Sequence, residues 1–289
     1  MASVLITGTS KGIGFETALL FARAGHTVIA GMRTPSKSPE LAEIAAEENL
    51  RLSVITLDVD SDQSVMDAFA LIAKDHGPVD ILVNNAGIER SGTIEELPLA
   101  EFRAVMETNY FGVIRCAQAV AAQMRTRRSG CIINISSVAG RLSTSPLSSY
   151  MASKWALEAL SEALAGEMKA FNVRVAIIEP GIIDTAMAHR IGDRPDKSAY
   201  PQPSRFAYLF EASLKGEPPP PALVAQKIVD VATSDSWQLR YTVGPDAEPF
   251  LGWRSSMTDE QWVELNGSDD DTWYARIESD FGMDTRPKS

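Results

Sequence analysis

The sequence predicts an α/β fold, a doubly wound parallel sheet of about seven strands with helices on both faces. Three observations carry this. Short apolar runs rich in β-branched residues recur along the chain, each flanked by Gly, Asn, Asp or Pro. Patterns of helical period lie between them. A glycine-bearing turn joins the first run to the first helical pattern. Runs that are apolar throughout, rather than alternating, suit strands buried on both faces. Strand–helix alternation then reads as right-handed crossovers.

In chain order, the strand-like runs are residues 4–6, 28–32, 52–57, 81–83, 131–135, 173–178 and 239–243. The helical patterns are 13–24, 40–48, 64–75 (after the start signal "DSDQS"), 101–127, 150–171 and 222–233. No internal repeat and no domain boundary is visible, so residues 1–289 read as a single domain. After Pro180 the character changes. Residues 185–217 have weak periodicity, several prolines and the aromatics Tyr200, Phe206, Tyr208 and Phe210, and they read as a segment lying over a substrate. The run "PPPP" at 218–221 cannot be helix interior, but it can deliver the chain into the helix from Ala222. Residues 245–289 form a C-terminal extension with "GSDDD", Trp262 and Trp273. A disordered acidic tail should be poor in aromatics, so this one is expected to dock.

The N-terminal stretch "VLITGTSKGIGFETALLFARAG" places Gly8, Gly12 and Gly14, with Ser10, Lys11 and Ile13, between a strand and a helix. Glycines there let the backbone turn sharply and approach a pyrophosphate, and the helix N-terminus offers free N–H groups. The spacing, G-x-x-x-G-x-G, differs from the G-x-G-x-x-G fingerprint, but its position in a βαβ unit is the Rossmann one. Dinucleotide sites usually carry a carboxylate about 20 residues on, for the adenosine ribose. Here the second strand ends "VIAGMRTPSK", with Arg33 and no carboxylate at Gly31. Arg33 and Lys11 would attract a 2′-phosphate, so NADP(H) is expected rather than NAD(H).

The stretch "SYMASKWALEAL", residues 149–160, sets Tyr150 one helical turn before Lys154. A free phenol titrates near pH 10. A lysine on the same face, with an oxidised nicotinamide, would favour the phenolate and make the tyrosine an acid/base at neutral pH. A solvated helix edge is the plain alternative.

With these stand "LDV" at 57–59, "NNAG" at 84–87, "NYFG" at 109–112, "NISS" at 134–137 and "PGIIDT" at 180–185. Together they resemble the short-chain dehydrogenase/reductase family over roughly residues 3–188, and within it the branch of 17β-hydroxysteroid and retinol dehydrogenases. The resemblance implies Tyr150 as general acid/base, Lys154 as its partner, Ser137 as the hydroxyl that orients the carbonyl and Asn109 as a proton-relay residue holding a water. It further implies Asp58 and Val59 at the adenine, and Asn85, Ala86 and Gly87 along the adenosine ribose. "PGIIDT" would close over the nicotinamide with Pro180, Gly181, Ile183 and Thr185. Ser136 is an alternative to Ser137, and "NNAG" also reads as a turn that ends a strand. Glu179 would lie near the nicotinamide end or point away from it.

The expected activity is hydride transfer between NADP(H) and a secondary alcohol–ketone pair or an aldehyde, on a bulky apolar substrate. A non-catalytic NADP(H)-binding regulator on the same fold, or an epimerase or dehydratase, are the other readings. A homodimer or homotetramer through helices 101–127 and 150–171 follows from the family.

Charge and composition exclude other classes. The net charge of −11 argues against nucleic acid and anionic membrane as general partners. No leader is read at the first residues, and no apolar run reaches the roughly 18 residues of a bilayer span. Cys116 and Cys131 sit in apolar surroundings, and His26, His76 and His189 are scattered. A reducing, cytoplasmic setting without a metal site is therefore expected.

Overall fold

In the computed structural model, which describes residues 1–192 and 197–287, seven parallel strands form one sheet. They are β1 (Ser3–Thr7), β2 (Thr27–Met32), β3 (Leu52–Thr56), β4 (Ile81–Asn84), β5 (Gly130–Ile135), β6 (Val173–Pro180) and β7 (Arg240–Val243), in the order β3-β2-β1-β4-β5-β6-β7. The order reverses between β1 and β4. In such sheets the ligand crevice opens outside the carboxyl ends of the strands at that point.

The strands are apolar throughout because both their faces are covered. On β1, Val4 and Ile6 pack with Phe21 of α1 (Gly12–Arg23) and Ile228 of α9 (Pro221–Thr233). Leu5 packs on the other side with Ile72 of α3 (Asp62–Asp75), Val120 of α5 (Gly112–Arg127) and Met168 of α6 (Ser148–Lys169). Each such side chain contributes about 1.5–3 kcal/mol on burial. Cys116 and Cys131 are free and buried in these layers.

Two expectations are refined. The long helical pattern at 101–127 is not one regular helix. α4 (Leu99–Met106) runs into a wide i→i+5 turn over Glu107–Phe111 before α5 begins. The weakly periodic 185–217 segment holds α7 (Ala186–Gly192) and α8 (Gln202–Ser213); its residues 193–196 lie outside the described part. Short α2 (Glu40–Glu47) flanks β3. Pro221 is the first residue of α9, where its missing N–H costs nothing.

The C-terminal extension folds into α10 (Ala247–Ser255), α11 (Asp259–Gly267) and α12 (Asp270–Phe281). The acidic "GSDDD" run is a helix start. The Asp269 side chain accepts from Thr272 N, and Asp270 and Asp271 fill the first turn, where the helix dipole favours anions. The extension docks as expected: Trp262 and Trp273 are buried, and the Trp262 indole donates to Ser143 O at 2.8 Å. No helix among the described residues is long and apolar enough to cross a membrane.

Candidate active site

A cavity of about 670 Å³ opens at the carboxyl ends of the strands. Gly8, Ser10, Lys11, Gly12, Ile13, Arg33, Asp58, Val59, Asn85, Ala86 and Gly87 line one part of it, and Ser137, Tyr150, Lys154, Pro180, Gly181, Ile183 and Thr185 another. The structure thus gathers nearly every residue singled out from the sequence. Gly14 and Asn109 stand behind the wall instead.

Gly14 is needed for close approach: a Cβ there would lie 2.5 Å from Gly8 O and 2.4 Å from Asn85 Nδ2. Gly8 has φ +71°, and a Cβ on it would lie 2.7 Å from Ala86 Cα. The Asn85 amide donates to Thr7 O at 2.9 Å and Gly8 O at 3.0 Å, while Thr7 Oγ1 accepts from Asn85 N and Ala86 N at 3.0 Å each. Asn85 therefore ties the end of β4 to the glycine loop, so its amide is a clamp. At the start of α1, Lys11 makes no side-chain cap, which leaves first-turn N–H groups for an anion. A dinucleotide fits this cradle: glycine crowding lets the backbone come close, and the helix start supplies donors.

Asn109 sits in the wide turn between α4 and α5 and is 0% exposed. It accepts from Ile88 N at 2.8 Å and donates to Ile88 O at 2.8 Å and Ser153 Oγ at 2.9 Å. A Cβ on Gly87 would lie 3.4 Å from Asn109 Oδ1 and 3.9 Å from Lys154 Nζ, so the two flank that glycine. Asparagine is disfavoured inside a regular helix, and the wide turn is the reason it is tolerated here.

Tyr150 and Lys154 project from α6, the ammonium 5.6 Å from the phenol ring centroid. Lys154 is buried and donates to Ile135 O at 2.7 Å. Burial pushes its pKa down to about 8, against the opposing pull of Glu158. Burial pushes Tyr150 up to about 12, Glu89 adds to the rise, and a hydrogen bond with Ser137 offsets part of it. Desolvation is the largest of these effects, because burial disfavours the charged phenolate. Ser137, at the end of β5, donates to Pro180 O at 3.2 Å and accepts from Ala139 N at 3.1 Å. Ser136 is buried and has no hydrogen-bond partner among the described residues, whereas Ser137 is the hydroxyl that meets the tyrosine.

Glu179 points away from the cavity. It is 0% exposed and ion-paired to Arg141 at 3.4 Å and Arg240 at 3.7 Å. Burial, then Glu158, raises its pKa.

Other contacts around the cavity were not visible in the sequence. Asp246, before α10, accepts from Ile182 N at 2.7 Å and so fastens "PGIIDT" to the end of β7. Phe250, Trp253 and Trp262 from the extension, with Leu142 and Met151, wall the rest of the cavity. The extension therefore caps the cavity, which its composition could not reveal.

A family model described as short chain dehydrogenase matches residues 2–196. The chain belongs to the short-chain dehydrogenase family. This short-chain dehydrogenase is 37% identical over 252 residues to human retinol dehydrogenase 8, covering 82% of this chain and 80% of that protein. Among solved structures it resembles a short-chain dehydrogenase from Streptomyces avermitilis, with TM-score 0.77, 32% identity and coverage of 96% and 98% of the two chains. It also resembles a gluconate 5-dehydrogenase from Burkholderia cenocepacia J2315 in complex with NADP and tartrate. That match has TM-score 0.73 and 26% identity and covers 86% of this chain and 95% of the other. The protein is an oxidoreductase of this family.

Proposed function

We propose that the protein is an NADP(H)-dependent oxidoreductase acting on a secondary alcohol–ketone pair, or an aldehyde, of a bulky, largely apolar molecule. The observation that carries the reading is one cavity that joins the glycine loop to Ser137, Tyr150 and Lys154 and continues into an aromatic chamber. Arg33 and Lys11 line the adenosine end, both are exposed, and neither is ion-paired with a described residue. Two exposed cations, with no carboxylate at Gly31 on β2, favour a 2′-phosphate. The likeness to a dehydrogenase solved with NADP points the same way.

Gly8, Gly12 and the start of α1 would hold the pyrophosphate. Asp58 and Val59 would meet the adenine, and Pro180, Gly181, Ile183 and Thr185 would cover the nicotinamide. When bound, the nicotinamide supplies or accepts the hydride. Ser137 donates a hydrogen bond to the substrate oxygen and fixes it beside Tyr150. In reduction Tyr150 gives its proton to that oxygen; in oxidation it takes one. Such transfer is worth about 10²–10⁴ in rate. Lys154 holds a positive charge beside the phenol, and Asn109 fixes the backbone at Ile88 next to it.

The test is oxidation of NADPH and of NADH across ketones and aldehydes from small to polycyclic. Wild type should prefer NADPH, Arg33→Asp should lose or reverse that preference, and Tyr150→Phe should lose about 10²-fold or more of kcat. Turnover with NADH alone, unmoved by Arg33→Asp, would sink the cofactor assignment.

We also infer self-association. Phe111 at the start of α5 and Trp155 on α6 are exposed apolar side chains. A dimer or tetramer should be seen by native mass spectrometry at micromolar concentration; monomer alone refutes it.

A further inference from the structure

Lys154 is a buried charge with no carboxylate at ion-pair distance among the described residues; its hydrogen bond is to a backbone carbonyl, Ile135 O, at 2.7 Å. The groups nearest it are neutral: the Tyr150 phenol on α6, Asn109 in the wide turn and Gly87 in the loop after β4. The charge of Glu89, from the same loop, reaches Tyr150, and Glu89 is ion-paired with Arg190 at 2.9 Å. On α4, which also packs on α6, Glu101 pairs with Arg90, and Arg103 is exposed. Glu107 of the wide turn pairs with Arg115. Burying an ammonium without a counter-charge is costly, so one is needed within reach.

Glu158 answers that need. It stands one helical turn after Lys154 on α6, as Tyr150 stands one turn before it, and it is buried too. Its place is fixed from two sides. Arg240 on β7 donates from Nε to Glu158 Oε2 at 2.9 Å. A Cβ on Gly140 would lie 2.8 Å from Glu158 Cγ, 3.2 Å from Glu158 Oε1 and 2.8 Å from Ser136 Oγ. The carboxylate therefore lies under the turn 136–140, which carries Ser137, and the glycine leaves it room. Beside it Glu179 on β6 is 3.7 Å from Arg240 Nε, Glu162 on α6 accepts from Arg240 Nη2 at 2.8 Å, and Arg141 pairs with Glu179 at 3.4 Å. Arg141, Arg240 and Glu162 reach solvent, where charge is screened, whereas Glu158 and Glu179 do not. The charges inside are thus two carboxylates and the Lys154 ammonium. Glu158 is the one whose field reaches Lys154 and opposes the effect of burial on it.

We propose that Glu158 is a positioning residue for the reaction: from beneath the 136–140 turn it supplies the counter-charge that keeps Lys154 protonated in a site closed to water, and Arg240 holds it there. Glu158 does not line the cavity, so it acts through Lys154 and not on substrate or cofactor. The sign of its effect follows. Without the anion the buried ammonium gives up its proton more readily, and Lys154 loses its charge at lower pH. The phenolate that oxidation needs then loses its neighbouring cation at that lower pH. Removing the Arg240 guanidinium has the opposite sign, because it leaves the two buried carboxylates less compensated. The proposal rests on the oxidoreductase reading above for what the charged lysine does, but not for the counter-charge itself.

The experiment follows Lys154 directly and apart from turnover. The full chain is labelled with carbon-13 at lysine Cε and titrated by NMR, the Lys154 resonance being the one absent from Lys154→Met. Oxidative and reductive kcat/KM are measured against pH alongside, with one alcohol–ketone pair. Glu158→Gln, which keeps the shape of the side chain, should lower the Lys154 midpoint by roughly one pH unit, about a tenfold rise in its acid dissociation constant. The bend in oxidative kcat/KM should move down with it. Glu158→Asp should restore most of the shift, and Arg240→Gln should raise the midpoint. An unmoved midpoint in Glu158→Gln, with the melting curve of a folded protein, overturns the proposal. If that variant does not fold, an unmoved or lowered midpoint in Arg240→Gln overturns it. So does a midpoint that moves while the oxidative bend stays in place. A midpoint that moves as expected in a protein that turns over no alcohol or carbonyl supports the counter-charge and refutes the reaction instead.

Discussion

Tyr150 and Lys154 are one turn apart on α6, yet their surroundings move their pKa values apart, the phenol up to about 12 and the ammonium down to about 8. Both shifts come from burial, which penalises whichever form is charged. Their consequence for pH is opposite in the two directions of reaction. A phenol with a raised pKa is protonated throughout the neutral range, so the proton needed for reduction is present. Oxidation needs phenolate, whose fraction rises with pH below the phenol pKa. Above about 8 Lys154 begins to lose the charge that favours phenolate. Oxidative kcat/KM should therefore climb with pH and bend over once the lysine titrates, while reductive kcat/KM should be flat or falling across the same range. Measuring both profiles with one alcohol–ketone pair checks this; parallel profiles would contradict it.

At the scale of elements, the wide turn at Glu107–Phe111 is the feature that the helical pattern concealed. It buries Asn109 completely and lets one amide satisfy both Ile88 N and Ile88 O, which begin the loop after "NNAG". Removing that side chain strands two partly buried backbone groups, at about 1–2 kcal/mol each, the lower part of the range for an unsatisfied group. Asn109→Ala should accordingly lower unfolding stability by roughly 2–4 kcal/mol in urea titration, and activity should fall with it. A loss below about 0.5 kcal/mol would mean that the loop is held elsewhere. An asparagine inside a helical pattern is a hint, since it is disfavoured there, but the i→i+5 turn needs the packing of α4 and of the turn itself on α6 to be seen.

For the molecule as a whole, the extension is what turns an open crevice into a chamber. Trp253 and Trp262 meet edge to face at 4.9 Å between ring centroids, and Trp262 is anchored to Ser143 O. Truncating such a side chain costs about 3–5 kcal/mol and leaves a hole. Trp262→Ala should lower the melting temperature and raise KM for polycyclic ketones about tenfold, while small ketones keep their kcat/KM; equal effects on both would show that the tryptophan only supports the fold.

Much of this was legible in the chain itself. Period and punctuation fixed seven strands and their crossovers, because each strand is buried on both faces and each helix on one, a local property of the residues. The glycine loop and the pair Tyr150 and Lys154 were legible for the same reason, since they depend on short spacings such as the helical turn from 150 to 154; Ser137 was implied by the family resemblance. What the tertiary structure alone decided is long in range: Asp246 fastening the loop at Ile182, Glu179 turned toward Arg141 and Arg240, the phenol pushed up by burial, and three C-terminal helices closing the cavity. Each depends on which distant side chains exclude water from one another, and desolvation is a property of the assembled volume that no stretch of sequence carries by itself.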